Sequence, residues 1–272
     1  MNIAEPAVSM SGQYPLGIVL SGGGVRGVAH IGVLRALMEH GIHPDFVAAV
    51  SAGAIVGALY AAGHSARDML RFFQETHPLR FTHFAFAKPG FMDTQKLVPF
   101  FGEYFPGNSF AALKKKLRVL ATDILNGQPV VFDEGELILP LLASSSVPMV
   151  YSPTEINGRW YSDGGIADNF PAGLLRGRCD RILGVYVSPL QIVEIAELST
   201  SLSVLERAMD VGMFLQSQAK FPLCDLVIQP QGLDGFGLFD TRHLRDIEAI
   251  GYETAMAQMA DIDRMLATPV GI

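Results

Sequence analysis

Two short apolar runs, residues 16–20 and 46–50, flank a stretch in which Ile31, Leu34, Leu37 and Met38 recur at helical spacing within residues 28–40. Brief, partly β-branched runs bounded by turn residues predict buried strands, and the 3.6-residue period predicts a helix that Gly41 ends. A second helix is predicted over residues 52–62, where Gly57 keeps its wall thin. Strand, helix, strand, helix in that order implies right-handed crossovers and a largely parallel sheet.

Further along, residues 117–124 and 129–132 read as strands joined by an Asn126-Gly127 turn, and residues 139–146 as a helix that stops before Pro148. Residues 155–161 read as a hairpin, Asn169-Phe170-Pro171 as the start of another helix, and residues 181–188 and 225–229 as late strands. Helical segments fill much of 192–220, and an amphipathic helix over 241–266 closes the chain. With no internal repeat and no long linker, the expected organisation is a flexible N-terminal arm over residues 1–14 and one domain over 15–272. Residues 64–110 differ in character, with phenylalanines such as Phe72, Phe84, Phe86 and Phe101 interleaved with Pro78, Pro89, Pro99 and Pro106. Two readings stay open for this insertion: a satellite core, or an apolar cap lining a substrate pocket.

The chain has 272 residues, 49% of them hydrophobic, which is ample for a large core. A net charge of −7 argues against a nucleic-acid-binding surface. The N-terminus carries no basic, apolar, small-residue signal pattern, and no apolar run reaches membrane-spanning length, so a soluble cytoplasmic protein is expected. Cys179 and Cys224 are not at metal-type spacing and read as reduced, buried small hydrophobes. The histidines and acids form no ligand motif such as His-Glu-x-x-His, so neither metal nor cofactor is expected. Lys114-Lys115-Lys116 reads as a solvated face, the other reading being peripheral contact with the inner face of a membrane.

The candidate chemistry lies where the second strand ends. Ala49-Val50-Ser51-Ala52-Gly53 places a serine at a tight strand-to-helix corner, with small residues where the backbones nearly touch. A serine so held projects its Oγ toward the positive end of the helix. The usual spelling has glycine at the first position, and Ala49 departs from it by one methyl group; the simpler reading of Ser51 is a helix cap. Gly22, Gly24 and Gly27 match Gly-x-Gly-x-x-Gly, yet the second strand ends in Ser51 where a dinucleotide site needs an acid. The loop after the first strand instead lies at the same sheet edge as the serine, and its Gly22, Gly23 and Gly24 N–H groups suit an oxyanion hole. Arg26 is read as bracing that loop. Asp163, before Gly164 and Gly165, stands at a sharp turn that brings other backbone close.

Gly22-Gly23-Gly24-Val25-Arg26-Gly27, Val50-Ser51-Ala52-Gly53 and Asp163-Gly164-Gly165 together resemble the patatin-like phospholipase family, over about residues 15 to 190. Ala121-Thr122-Asp123, the Ser144-Ser145-Ser146 run and Asp168-Asn169-Phe170-Pro171 are secondary echoes. The resemblance implies a three-layer α/β/α sandwich, a lipid ester substrate, and a Ser51–Asp163 dyad in place of a triad. A triad α/β-hydrolase would need a late histidine, and only His243 qualifies by position. An acyltransferase or thioesterase on the same residues, and a catalytically silent lipid-binding regulator, are the other readings.

Overall fold

The computed structural model describes residues 12–75, 92–237 and 241–269. The first strand, β1 (Tyr14–Leu20), is followed by a 3-10 turn at Gly24–Val28, helix α1 (Ala29–Glu39), strand β2 (Phe46–Val50) and helix α2 (Ala52–Ala62). Helices α3 (Ala66–Glu75) and α4 (Val98–Tyr104) precede β3 (Lys116–Asp123), β4 (Gln128–Phe132) and α5 (Ile138–Ser144). A hairpin of β5 (Thr154–Ile156) and β6 (Arg159–Ser162) then leads through α6 (Gly165–Asp168) to β7 (Cys179–Val185). The chain closes with α7 (Ser201–Gln218), β8 (Leu226–Ile228), α8 (Leu244–Ala257) and α9 (Met259–Ala267).

The strands form one mixed sheet in the order β5-β6-β3-β2-β1-β7-β8, with β4 also paired to β3. Pairing is parallel from β3 through β8 and antiparallel where β4, β6 and β5 join. Side chains alternate between the two faces, so both must be covered. Ile18, Leu20, Val47, Ala49, Val119 and Val185 enter the larger core, shared with α1, α2 and α8. Val19, Phe46, Ala48 and Ile182 face the opposite way, onto Phe170, Ala172, Leu175 and Tyr186. This layering is the expected α/β/α sandwich.

Two elements differ from expectation. Asn169-Phe170-Pro171 opens only a 3-10 turn (Ala172–Leu174), because Pro171 takes ψ 49° and Gly177 turns left-handed at φ 68°. The closing helix is two helices, broken at Gln258 (φ −99°, ψ 6°). The bend brings Met259 and Ile262 into the core while α8 lies against α1, where Gly251 leaves no room for a methyl group beside the Ala29 carbonyl.

The expected arm is described only from residue 12, and β1 already begins at Tyr14. Phe84 and Phe86 lie outside the described residues. Phe72, Phe101, Phe105 and Phe110 join the main core, and Phe72 meets Phe101 edge-on with centroids 5.1 Å apart. Cys179 and Cys224 are free thiols, half-buried rather than fully buried as expected, because Cys179 opens β7 and Cys224 lies just before β8, at strand ends. No described helix is long and apolar enough to cross a membrane.

Candidate active site

The corner after β2 is strained as the sequence suggests. Ser51 adopts φ 54° and ψ −131°, a conformation that costs a side-chain-bearing residue on the order of 1–3 kcal/mol and persists only where its surroundings impose it. Three contacts impose it. The Ser51 N–H donates to Ser144 Oγ at 2.8 Å, and Ser144 Oγ donates in turn to the Leu120 carbonyl at 2.7 Å. The Ser51 carbonyl accepts from the Ala54 N–H at 2.9 Å, starting α2. Gly53 packs against β1 so tightly that a methyl carbon there would sit 2.6 Å from the Leu20 carbonyl.

Ala49, the departure from the usual spelling, is fully buried on the face that meets α2. Its methyl faces Gly57, where a side-chain carbon would come to 3.4 Å from Ala49 Cβ and 2.9 Å from Val47 Cγ1. The glycine missing from the strand is thus supplied by the helix opposite, and the two backbones still approach.

Asp163 reaches the serine from across the sheet. Its Oδ2 accepts a hydrogen bond from Ser51 Oγ at 2.6 Å, and its Oδ1 accepts from the Gly165 N–H at 2.7 Å. The backbone is pinned as well: its N–H donates to the Ser146 carbonyl at 3.0 Å, and its carbonyl accepts from Thr122 Oγ1 at 2.8 Å. Gly164 lies so close to β2 that a methyl there would sit 2.6 Å from Val50 Cγ2. Burial pushes the Asp163 carboxyl up to about 6, and the two hydrogen bonds to the carboxylate offset only part of that rise.

The glycine loop runs beside this pair. A methyl on Gly22 would stand 3.2 Å from Ser51 Cβ. The Gly22 N–H points to the Asn169 carbonyl, 3.4 Å away, and its carbonyl accepts from Ser188 Oγ at 2.8 Å, so Gly22 serves to anchor the loop. Among the described residues the N–H groups of Gly23 and Gly24 donate to no protein acceptor, and Gly24 takes φ 57°. Arg26 Nε donates to the Phe236 carbonyl at 2.9 Å, tying the loop to the segment before α8, and Gly27 packs against the Ala52 methyl. Of the donors expected at Gly22, Gly23 and Gly24, the last two have no acceptor among the described residues, because the Gly22 N–H is turned to the loop's own support.

Ser51 opens onto a cavity of about 130 Å³ lined almost wholly by apolar atoms. Gly24, Val25, Ile55, Phe72, Leu97 and Leu142 are among its walls, and Phe101 and Tyr151 also contribute. Part of the phenylalanine-rich stretch therefore belongs both to the core and to this pocket.

The described histidines lie elsewhere. His30 is fully buried with Nε2 2.8 Å from the Ser21 carbonyl, and burial pushes its imidazole down to about 4. His243 is exposed and meets Asp246 Oδ2 at 3.0 Å. His77 and His83 lie outside the described residues. Lys115 and Lys116 pair with Asp45 and Asp133, and Lys116 starts β3, at the sheet edge opposite Ser51. Sequence reasoning missed Ser144 and Thr122 as supports of the two site residues; the signal was a serine cluster ending an apolar helix and a threonine next to the end of a strand.

A strained serine at a strand-to-helix corner, an acid hydrogen-bonded to it and an apolar cavity on an α/β sandwich define the nucleophile-elbow class of fold. Residues 18–176 match the family described as patatin-like phospholipase, and the chain belongs to it. Members of the patatin-like family are lipid hydrolases. An uncharacterized NTE family protein of Mycobacterium tuberculosis (strain ATCC 25618 / H37Rv) is 34% identical over 166 residues, covering 59% of this chain and 45% of that protein. Yeast (Saccharomyces cerevisiae) lysophospholipase NTE1 is 27% identical over 188 residues, 65% of this chain and 11% of that one. This chain thus spans less than half the length of these relatives. Among solved structures, VipD from Legionella pneumophila superposes with TM-score 0.54 at 13% identity, over 92% of this chain and 67% of that one. Human GIVD cytosolic phospholipase A2 superposes with TM-score 0.52 at 12% identity, over 93% and 59%. Both share the fold.

Proposed function

We propose that this chain is a serine hydrolase that cleaves fatty acyl esters of phospholipids or related lipids, with Ser51 as nucleophile and Asp163 as its base. The observation that carries this reading is the 2.6 Å hydrogen bond from Ser51 Oγ to a buried carboxylate, with Ser51 in the wall of an apolar cavity. Family membership and the yeast relative named lysophospholipase favour a lipid ester over other acyl compounds.

The steps follow from the geometry. Ser51 Oγ attacks the ester carbonyl carbon while its proton passes to Asp163 Oδ2. An ordinary aspartate is too weak a base for this; with its pKa near 6, Asp163 is still about nine-tenths ionised at pH 7 and binds a proton more readily. The carbonyl oxygen gains negative charge beside the Gly23 and Gly24 N–H groups, which need no reorganisation to receive it. The leaving alkoxide takes the proton from Asp163 as the carbon–oxygen bond breaks, and the acyl group stays on Ser51. Water then attacks, returns a proton through Asp163 and frees the fatty acid. The cavity holds the acyl chain by removing its methylenes from water.

The test is labelling with a fluorophosphonate, followed by mass spectrometry of the labelled peptide, beside a panel of phospholipid, lysophospholipid, glyceride and acyl-thioester substrates. The label is expected on Ser51, and Ser51→Ala is expected to stop ester cleavage with the fold retained. Turnover by Ser51→Ala equal to the wild type would sink the mechanism. Release of a new acyl ester in place of free fatty acid, when an alcohol acceptor is added, would assign acyl transfer.

A further inference from the structure

The peptide between Gly22 and Gly23 carries one of the two N–H donors that stand beside Ser51. With glycine on both sides of it, no side chain restricts its rotation. A trans peptide is planar and points its carbonyl and its N–H in opposite directions, so whatever holds the Gly22 carbonyl also aims the Gly23 N–H. Ser188 Oγ donates to that carbonyl at 2.8 Å. Ser188 is half-buried, three residues past the end of β7, and among the described residues its hydroxyl makes no other hydrogen bond.

The order of the strands gives the direction. β1 lies between β2 and β7, with Leu20 beside Ala49 on one side and Val185 on the other. Past the strand end the pairing toward β7 continues: the Ser21 N–H donates to the Val185 carbonyl at 3.2 Å, and the Val187 N–H to Ser21 Oγ at 3.0 Å. Ser188 takes the next step and draws the Gly22 carbonyl to the β7 side. The N–H of the same peptide is then turned to the β2 side, where Ser51 stands and where a methyl on Gly22 would come to 3.2 Å from Ser51 Cβ. A methyl on Gly23 would meet Ser188 Oγ at 2.9 Å, so Ser188 also lies against the backbone it holds. Ser21 Oγ reaches the same carbonyl at 3.0 Å, but it belongs to the adjacent residue and moves with the loop. The following peptide is fixed within the loop, the Gly23 carbonyl accepting from the Arg26 N–H at 3.2 Å.

We propose that Ser188 is a positioning residue of the Ser51 site: its hydrogen bond keeps the Gly22–Gly23 peptide from turning over, and so keeps the Gly23 N–H aimed at the oxygen that becomes negative in the reaction. The proposal rests on the serine-hydrolase reading of the site. It adds a residue that lies beyond the stretch 18–176 matched by the family. Were the peptide to turn, the Gly22 carbonyl would present its own negative end to that oxygen, and attraction would become repulsion. Binding of the acyl chain, made by the apolar walls of the cavity, would be left as it is, so the loss falls on the transition state alone.

The experiment compares Ser188→Ala with Ser188→Thr, which keeps a hydroxyl, on a short-chain p-nitrophenyl ester and on a long-chain trifluoromethyl ketone. In the ketone adduct Ser51 Oγ bonds the carbonyl carbon, its proton passes to Asp163, and the carbonyl electron pair moves onto the oxygen, which becomes the anion. Ser188→Ala is expected to lower kcat about 10–100-fold with KM unchanged, and to raise the Ki of the ketone by the same factor. Affinity for a free fatty acid should not move, nor should the urea midpoint, since Ser21 Oγ keeps the Gly22 carbonyl partnered. Ser188→Thr should retain most of the activity and of the ketone affinity. The proposal is overturned by an unchanged kcat in Ser188→Ala, by a fall in kcat without a matching rise in the ketone Ki, or by Ser188→Thr falling as far as Ser188→Ala. A lower urea midpoint together with weaker fatty-acid binding marks a merely structural role and also overturns it. Failure of the hydrolase reading shows in the wild type alone, as no ketone adduct on Ser51 and no ester turnover, and takes the proposal with it.

Discussion

Ser144 Oγ stands 2.8 Å from the Ser51 N–H, accepting its hydrogen bond, and itself donates a hydrogen bond to the Leu120 carbonyl at 2.7 Å. A side chain 93 residues away thus occupies the donor of a residue held at positive φ and ties it to the neighbouring strand. Ser144→Ala leaves a buried N–H and a buried carbonyl short of partners, which costs about 1–3 kcal/mol. The urea midpoint should fall accordingly. Because a misplaced nucleophile loses rate rather than binding, kcat should drop about 10–100-fold with KM little changed, and fluorophosphonate labelling should slow in parallel. Unchanged kcat would show that the corner holds its shape without Ser144.

The Asp163 carboxyl is held near 6 by burial, above its ordinary 3.8. A group whose folded pKa is raised stabilises the fold below the unfolded value and loses that contribution as pH rises through the folded one. Asp163 therefore costs stability across pH 4 to 6, by about 3 kcal/mol at most. Asp163→Asn should be more stable than the wild type at pH 7.5, with the gap closing toward pH 4 in urea melts. Its activity should fall by roughly 10²–10⁴, as loss of a positioned base does. Wild-type kcat/KM should rise with pH through about 6 and then level.

His30 works in the opposite sense within the same window. Its imidazole is pushed down to about 4 by burial, so its contribution is present above the unfolded value of 6.5 and is lost as pH falls toward 4. In the wild type the two slopes offset. His30→Gln should remove one of them, leaving stability that declines as pH rises from 4 to 6. His30→Gln and His243→Gln should each keep most of the activity. If His243→Gln were as inactive as Ser51→Ala while Asp163→Asn turned over normally, a histidine would be the base.

Ile55 lines the cavity one turn into α2 and is half-buried, so Ile55→Trp can fill space without displacing the elbow. Each methylene kept out of the cavity forfeits about 0.8 kcal/mol, and excluding two lowers kcat/KM about tenfold. Palmitoyl esters should suffer this loss and acetyl esters should not, read from paired kcat/KM values. Equal losses on both would place the acyl chain elsewhere.

Strand–helix alternation, the β2–α2 corner and the order of the glycine loop, Ser51 and Asp163 were legible from the chain alone. Each is local, written in periodicity and in glycines next to the residue concerned. The hairpin at Asn157-Gly158 was legible for the same reason, both residues taking positive φ. Only tertiary structure could decide which loop donors are free, since Gly22 is spent on Asn169, a partner 147 residues away that no local pattern reveals. The break at Gln258 likewise follows from how α8 meets α1 and how Met259 and Ile262 reach the core. Ala49 shows the division most plainly. The sequence registered it as a departure from the elbow's spelling; the structure places Gly57 opposite, and the space that one glycine lacks on the strand is supplied by another on the helix.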